Sequence, residues 1–176
     1  PDQELCSPAG DIALAATALA PAAQASAASS AGRQPPQETG FLNRTLVFRG
    51  VDYHFQVYVP ENYTRSARHH WPIILFLHGR GERGSEGMWQ TQVGRPAAVR
   101  DHPERWPFLI VMPQCPQGHY WTDPDMMGMA LSALNQDSDE FHADPSPAYP
   151  PGLSLGGYGA WELARRNPRR FARIRT

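Results

Sequence analysis

Gly152-Leu153-Ser154-Leu155-Gly156-Gly157-Tyr158-Gly159-Ala160-Trp161-Glu162-Leu163 sets a serine between glycines, directly ahead of a helix-forming run. The G-x-S-x-G spacing suits a sharp strand-to-helix turn, in which the serine adopts a strained backbone conformation. Its neighbours must be small, because strand and helix pass so close. Gly152, Gly156, Gly157 and Gly159 supply that room. The pattern predicts a helix over 156–167, with Ala160, Trp161 and Ala164 facing inward. Asn167-Pro168 ends it, because proline cannot continue the hydrogen-bond ladder. Such a turn aims the Ser154 hydroxyl out of the sheet, at the positive end of the helix. A serine so presented is a candidate nucleophile. The plainer alternative is a glycine-rich turn with an incidental serine.

Upstream, strand and helix patterns alternate. Residues 44–50 (RTLVFRG) and 53–60 (YHFQVYVP) carry β-branched and aromatic residues at period two. Val51-Asp52 separates them, which predicts a hairpin. Residues 72–79 (PIILFLHG) and 108–114 (FLIVMPQ) are continuous apolar runs, the pattern of strands buried on both faces. Residues 88–100 read as a helix with Pro96 as its weak point. Residues 125–142 read as a longer one, with Met126, Met129, Ala130, Ala133 and Leu134 on one face. Residues 171–174 read as the start of one more strand. The sum is an α/β fold: an N-terminal β-hairpin, then a mostly parallel sheet flanked by helices. Ligands in such sheets sit beyond the carboxyl ends of the strands. Two segments fall there, 78–87 and Ser154.

The first of them begins His78-Gly79-Arg80-Gly81-Glu82-Arg83-Gly84. Acyl transfer builds negative charge on the substrate carbonyl oxygen, and N–H groups aimed at it lower the barrier. A glycine-rich loop after a buried strand can present one such group. Arg80 is the candidate, with Gly79 and Gly81 shaping the loop, and Leu155 supplies the second N–H. Glu82 and Arg83 either pair with each other or line the cleft; both readings stay open.

Residues 75–84 (LFLHGRGERG), 111–121 (VMPQCPQGHYW) and 152–172 (GLSLGGYGAWELARRNPRRFA) resemble the α/β-hydrolase superfamily. Within it they are similar to a secreted esterase-like group that includes phospholipase/carboxylesterase, feruloyl-esterase-like and predicted-peptidase members. The resemblance runs from about residue 44 to 172, with three motifs in order. It implies a serine hydrolase acting on small-molecule carboxylic esters, with Ser154 as nucleophile and Arg80 and Leu155 as the oxyanion hole. It places Trp121 near the cleft, the alternative being a core tryptophan after a proline-rich turn, and calls for no cofactor and no metal. In this fold the base follows the serine, so His78 supports its loop rather than taking the proton.

The same resemblance exposes a gap. The order is serine, then acid, then histidine. After Ser154 the sole acid is Glu162, and no histidine follows; all seven, at 54, 69, 70, 78, 102, 119 and 142, come earlier. The strand leading into the turn also carries Pro147, Pro150 and Pro151, which give no ladder N–H. The reading is therefore the N-terminal part of a hydrolase domain, truncated before its base and acid. The alternative is a catalytically inactive remnant, or an acyl- or glycan-binding module on the same architecture. A metal-dependent hydrolase using His69, His70 and His119 lacks the ligand spacing such sites need.

Composition narrows the classes further. The net charge of -1 gives no electrostatic case for nucleic acid. All 16 basic residues are arginine, which excludes a phosphate-binding P-loop and a Schiff-base lysine. Cys6 and Cys115 do not make a zinc site. Residues 12–28 are apolar then small, ending in an A-x-A-like site at Ala23-Gln24-Ala25. That run is too short to span a bilayer and reads as a secretory leader within 1–28, although the acidic stretch before it departs from the usual basic start. Residues 29–40 read as a linker and 41–176 as the domain, giving a secreted or periplasmic protein. Nothing in the sequence specifies an oligomer.

Overall fold

In the computed structural model, residues 38–65, 70–144 and 151–171 are described. Strands β1 (Gly40–Phe48) and β2 (Val51–Val59) form the expected hairpin. Its turn is Arg49-Gly50 rather than Val51-Asp52, because Phe48 pairs directly with Val51. The two turn residues have φ of 52° and 79°. A two-residue hairpin loop needs that hand to match the twist of its strands. Val51 is β-branched and extends the strand, which moves the turn two residues earlier than the sequence suggested.

Three further strands follow: β3 (Trp71–Leu75), β4 (Leu109–Pro113) and the short β5 (Ala143–Asp144). The sheet order is β1-β2-β4-β3-β5. The hairpin joins β4 antiparallel, while β3 pairs with both β4 and β5 in parallel. The expected hairpin-plus-parallel sheet is thus observed, and the parallel half carries the candidate site.

Both faces of the sheet are covered, which explains its continuous apolar runs. Val57, Val59, Leu75 and Val111 face a core shared with Met126, Met129, Ala130 and Leu134. The alternate residues Tyr58, Phe76, Ile110 and Met112 face a smaller cluster with Val99. The period-two alternation divides them.

Helix α1 (Arg95–Asp101) is shorter than predicted, and a separate 3-10 turn precedes it at Trp89–Thr91. Pro96 lies in the first turn of α1, where a missing N–H leaves no bond unmade. The residue read as a weak point marks the helix start. Helix α2 (Pro124–Glu140) likewise begins on proline and buries the predicted face, together with Met127 and Asp137.

Helix α3 (Leu155–Arg166) corrects two expectations. Trp161 points outward and is 67% exposed. The buried stripe is Gly156, Gly159, Ala160 and Leu163, the helical i, i+3, i+4, i+7 spacing, and Trp161 falls one residue off it. Pro168 ends α3 as predicted but opens a further short helix, α4 (Pro168–Phe171). Phe171 is buried in the main core from that helix rather than starting a strand. Residues 172–174, the leader and most of the linker lie outside the described residues. Among the described residues no helix is long and apolar enough to cross a membrane.

Candidate active site

Residues 151–153 run parallel beside the carboxyl end of β3, with Gly152 opposite Leu77. The Leu77 N–H donates to Pro151 O at 3.2 Å, and the Leu153 N–H donates to Leu77 O at 3.0 Å. This pairing uses the carbonyl of Pro151 and not its missing N–H. The proline is accommodated for that reason. Pro147 and Pro150 lie outside the described residues.

The chain then turns sharply. Ser154 has φ 51° and ψ -109°, a backbone conformation that costs a non-glycine residue on the order of 1–3 kcal/mol. Two bonds hold the turn: Gly156 N–H to Leu153 O at 2.8 Å, and Gly157 N–H to Ser154 O at 2.9 Å. The side chain of Ser154 is exposed at the start of α3. The Leu155 N–H lies in the first turn, where helix geometry leaves amides without an intrahelical acceptor.

Close passage explains the glycines. A Cβ on Gly152 would strike the backbone of Gly156, one on Gly156 would strike the carbonyl of Leu77, and one on Gly159 would strike Trp121. Gly157 is different, since its nearest neighbour would be Gly152 O at 3.6 Å.

The loop after β3 lies against the turn. A Cβ on Gly79 would stand 3.8 Å from the Ser154 Cβ and 3.5 Å from Leu153 O. Arg80, the next residue, is exposed. The segment after β4 pins the rest of the loop. Gly84 N–H donates to Cys115 O at 3.0 Å, Gln114 Nε2 to Glu82 O at 3.0 Å, and Gln117 Nε2 to Arg83 O at 2.8 Å. Sequence reasoning gave Gln114 and Gln117 no role. Their position just past the carboxyl end of a buried strand was the available signal. Arg83 donates to the carbonyls of Arg80 and His119, both at 3.2 Å, and its guanidinium sits over Tyr120. It makes no ion pair with Glu82, which settles one of the two alternatives left open above.

His78 is fully buried beneath this loop. Its Nδ1–H donates to Gly79 O at 2.6 Å, and its Nε2 accepts from the Cys115 N–H at 2.9 Å. Both ring nitrogens are occupied in the neutral form. Trp121 packs edge-on to the ring and donates its indole N–H to His78 O at 3.0 Å. At 1% exposure Trp121 lies beneath the loop, not on the surface of the cleft. Burial lowers the His78 pKa from 6.5 to about 4. With both ring nitrogens bonded and its charged form disfavoured by burial, His78 has no nitrogen free to take a proton. In a pH titration followed by NMR, the His78 ring is expected to stay neutral down to about pH 4. A midpoint near that of an exposed histidine would contradict its burial.

The other described histidines have partners of their own. His54 meets Thr45, His70 the carbonyl of His142, His102 Glu104 and His119 Asp123, while His142 accepts from Arg65. His69 lies outside the described residues. Among the described residues no cluster of three or more candidate metal ligands forms. Glu162 is held by Arg165 and Arg166 at 2.7 and 2.6 Å. Their hydrogen bonds, that of Arg165 first, lower its pKa to about 2. The sole acid after Ser154 is thus committed to a surface ion pair.

The sequence matches no family model and no curated protein. Solved structures do resemble the fold. A thermostable esterase is 28% identical with a TM-score of 0.66, over 75% of this chain and 39% of that one. A ferulic acid esterase is 19% identical with a TM-score of 0.56, over 74% and 56%. An S-formylglutathione hydrolase from Agrobacterium tumefaciens is 20% identical with a TM-score of 0.50, over 77% and 57%. The mixed sheet and its helices are a partial α/β-hydrolase fold whose structural neighbours are esterases. The matched part spans 39% to 57% of those three chains.

Proposed function

We propose that this chain is the nucleophile-bearing part of a serine hydrolase of small-molecule carboxylic esters. Ser154 Oγ attacks the ester carbonyl and gives its proton to a base supplied from outside residues 1–176. The N–H groups of Arg80 and Leu155 hold the developing oxyanion, each contributing about 3 kcal/mol to barrier lowering. The alcohol leaves with the proton, and water then hydrolyses the acyl-enzyme. The observation that carries this reading is Ser154 itself: an exposed serine in a strained turn, at a helix start, with the Gly79 loop against it.

A second reading has its own support. His78 has both ring nitrogens engaged and Glu162 is ion-paired, so neither is free to serve Ser154. An acyl-binding module or an inactive remnant fits that. One experiment separates the two. The coding DNA is read past codon 176 in all three frames, and the chain with and without any continuation is treated with a fluorophosphonate probe. The hydrolase reading expects an acid and then a histidine, with fast labelling of the extended form at Ser154 that Ser154→Ala abolishes. An extended form that stays unlabelled, or labelling that survives Ser154→Ala, overturns it.

A further inference from the structure

The loop after β3 is fixed differently at its start and at its end. At the start, the His78 Nδ1–H draws the Gly79 carbonyl inward at 2.6 Å. Carbonyl and N–H point opposite ways across a trans peptide, so the Arg80 N–H is turned outward, away from His78. Past Arg80 the chain has no helix or strand of its own until Trp89. Gln114, just past the end of β4, holds it there. Gln114 is 2% exposed, and both ends of its side-chain amide are in use. Its Nε2 donates to Glu82 O at 3.0 Å and to Glu86 Oε1 at 2.7 Å, and its Oε1 accepts the Gly87 N–H at 2.6 Å. Every one of these partners lies in the loop. Glu86 in turn accepts the N–H groups of Ser85 and Trp89 at 3.1 and 3.2 Å. Gly84 packs on the amide so closely that a Cβ there would stand 2.7 Å from Gln114 Nε2. Arg83 carries the constraint back toward the serine, since its Nε donates to Arg80 O at 3.2 Å.

Without this amide the buried Gly87 N–H would lose its acceptor and Glu82 O its donor. Buried groups left unbonded are costly, so the loop would shift to satisfy them. An oxyanion donor works only at hydrogen-bond distance from where the charge develops, and small displacements of it are expensive. We propose that Gln114 is a positioning residue of the oxyanion hole: its amide sets the register of the loop, and so the place of the Arg80 N–H relative to Ser154. It touches no substrate and acts through the loop. The inference rests on the reading of Ser154 as nucleophile and Arg80 as oxyanion donor.

The test is the rate at which a saturating fluorophosphonate labels Ser154, with the half-saturating probe concentration, in the protein with any continuation past residue 176. Gln114→Met keeps the length of the side chain and loses all of its bonds. Its labelling is expected to slow about 100-fold, as for a displaced oxyanion donor, at an unchanged half-saturating concentration. Gln114→Glu keeps the shape but sets a carboxylate against Glu86 and the Glu82 carbonyl. Once protonated, that carboxyl regains a donor and keeps an acceptor. The rate of this variant, divided by the parent rate at the same pH, is therefore expected to climb as pH falls from about 8 to about 5. His78, with its pKa of about 4, stays neutral over that range. A merely weakened fold would not recover in this way. Should Gln114→Met fail to fold, the Gln114→Glu ratio decides alone. Parent rates in both variants, or a ratio that stays flat with pH, overturn the role of Gln114 and leave Ser154 standing. A parent protein that does not label at Ser154 overturns both.

Discussion

Adding one methyl group at residue 156 is expected to cost this chain about 3 kcal/mol or more, or to prevent its folding. The Gly156→Ala methyl would be driven into the carbonyl of Leu77, with the His78 carbonyl 2.8 Å away on the same side. Neither is the free end of a side chain that can swing clear. Leu77 O also accepts the Leu153 N–H, so pushing it away breaks the bond that sets the strand before the turn. Overpacking of rigid surroundings typically costs 1–3 kcal/mol in the mild cases, and this contact is with backbone on both sides. Gly157→Ala is the control. Its methyl would have ordinary van der Waals room, and alanine gains up to about 1 kcal/mol over glycine inside a helix. Urea unfolding of the two variants should therefore shift in opposite directions. Equal midpoints would mean that α3 does not pass against β3 as closely as described.

The second large effect concerns Asp137. It is fully buried on α2, and neither carboxylate oxygen has a partner. Arg44, the nearby cation, is spent on Glu140 at 2.7 Å. Desolvation, with a smaller push from Glu140, raises the Asp137 pKa from 3.8 to about 8. The folded state therefore holds a proton that the unfolded state releases. That contribution is complete below the unfolded value and is lost as pH rises through the folded one, at about 1.4 kcal/mol per pH unit. His78 acts with the opposite sign. Its depressed pKa favours the folded state above 6.5, and the benefit is lost as pH falls toward about 4. The two slopes nearly cancel between about pH 4 and 6.5, and above that Asp137 acts alone until about pH 8. Asp137→Asn removes the penalty. Its stability should match the parent near pH 4 and exceed it by a margin that grows by about 1.4 kcal/mol per unit toward pH 8. Denaturation curves at three pH values suffice; a margin independent of pH would show that Asp137 is solvated or paired.

The sequence was most legible where a local pattern decides the structure. The hairpin, the two buried strands, the long helix and the turn at Ser154 each follow from spacing within a dozen residues. A general preference misleads where helical register decides. Trp161 is apolar and suggests an inward side chain, but the stripe through Gly156, Gly159, Ala160 and Leu163 excludes it. Pro96 looks like a weak point within a helix, yet it lies in the first turn of α1, where proline fits, while Pro168 both ends α3 as expected and opens α4. Asp137 continues the apolar spacing of Ala130, Ala133 and Leu134, and a carboxylate on that stripe was the visible sign of a buried charge. The direction of the Arg83 side chain was not legible, because one of the two carbonyls that receive it, that of His119, comes from beyond its own loop.

The pairing of Leu77 with Gly152 also governs when the turn at Ser154 can form. The β1–β2 hairpin closes over neighbouring residues and can form early, whereas Leu77 and Gly152 must find each other across nearly half of the chain. Contacts so distant in sequence carry the larger loop-closure entropy and form late. Until they do, nothing forces Ser154 from an ordinary backbone conformation into the strained one, and the Gly79 loop has no partner. In a nascent or partly refolded chain Ser154 therefore keeps an ordinary backbone conformation, and the strained turn appears only once this distant closure has formed.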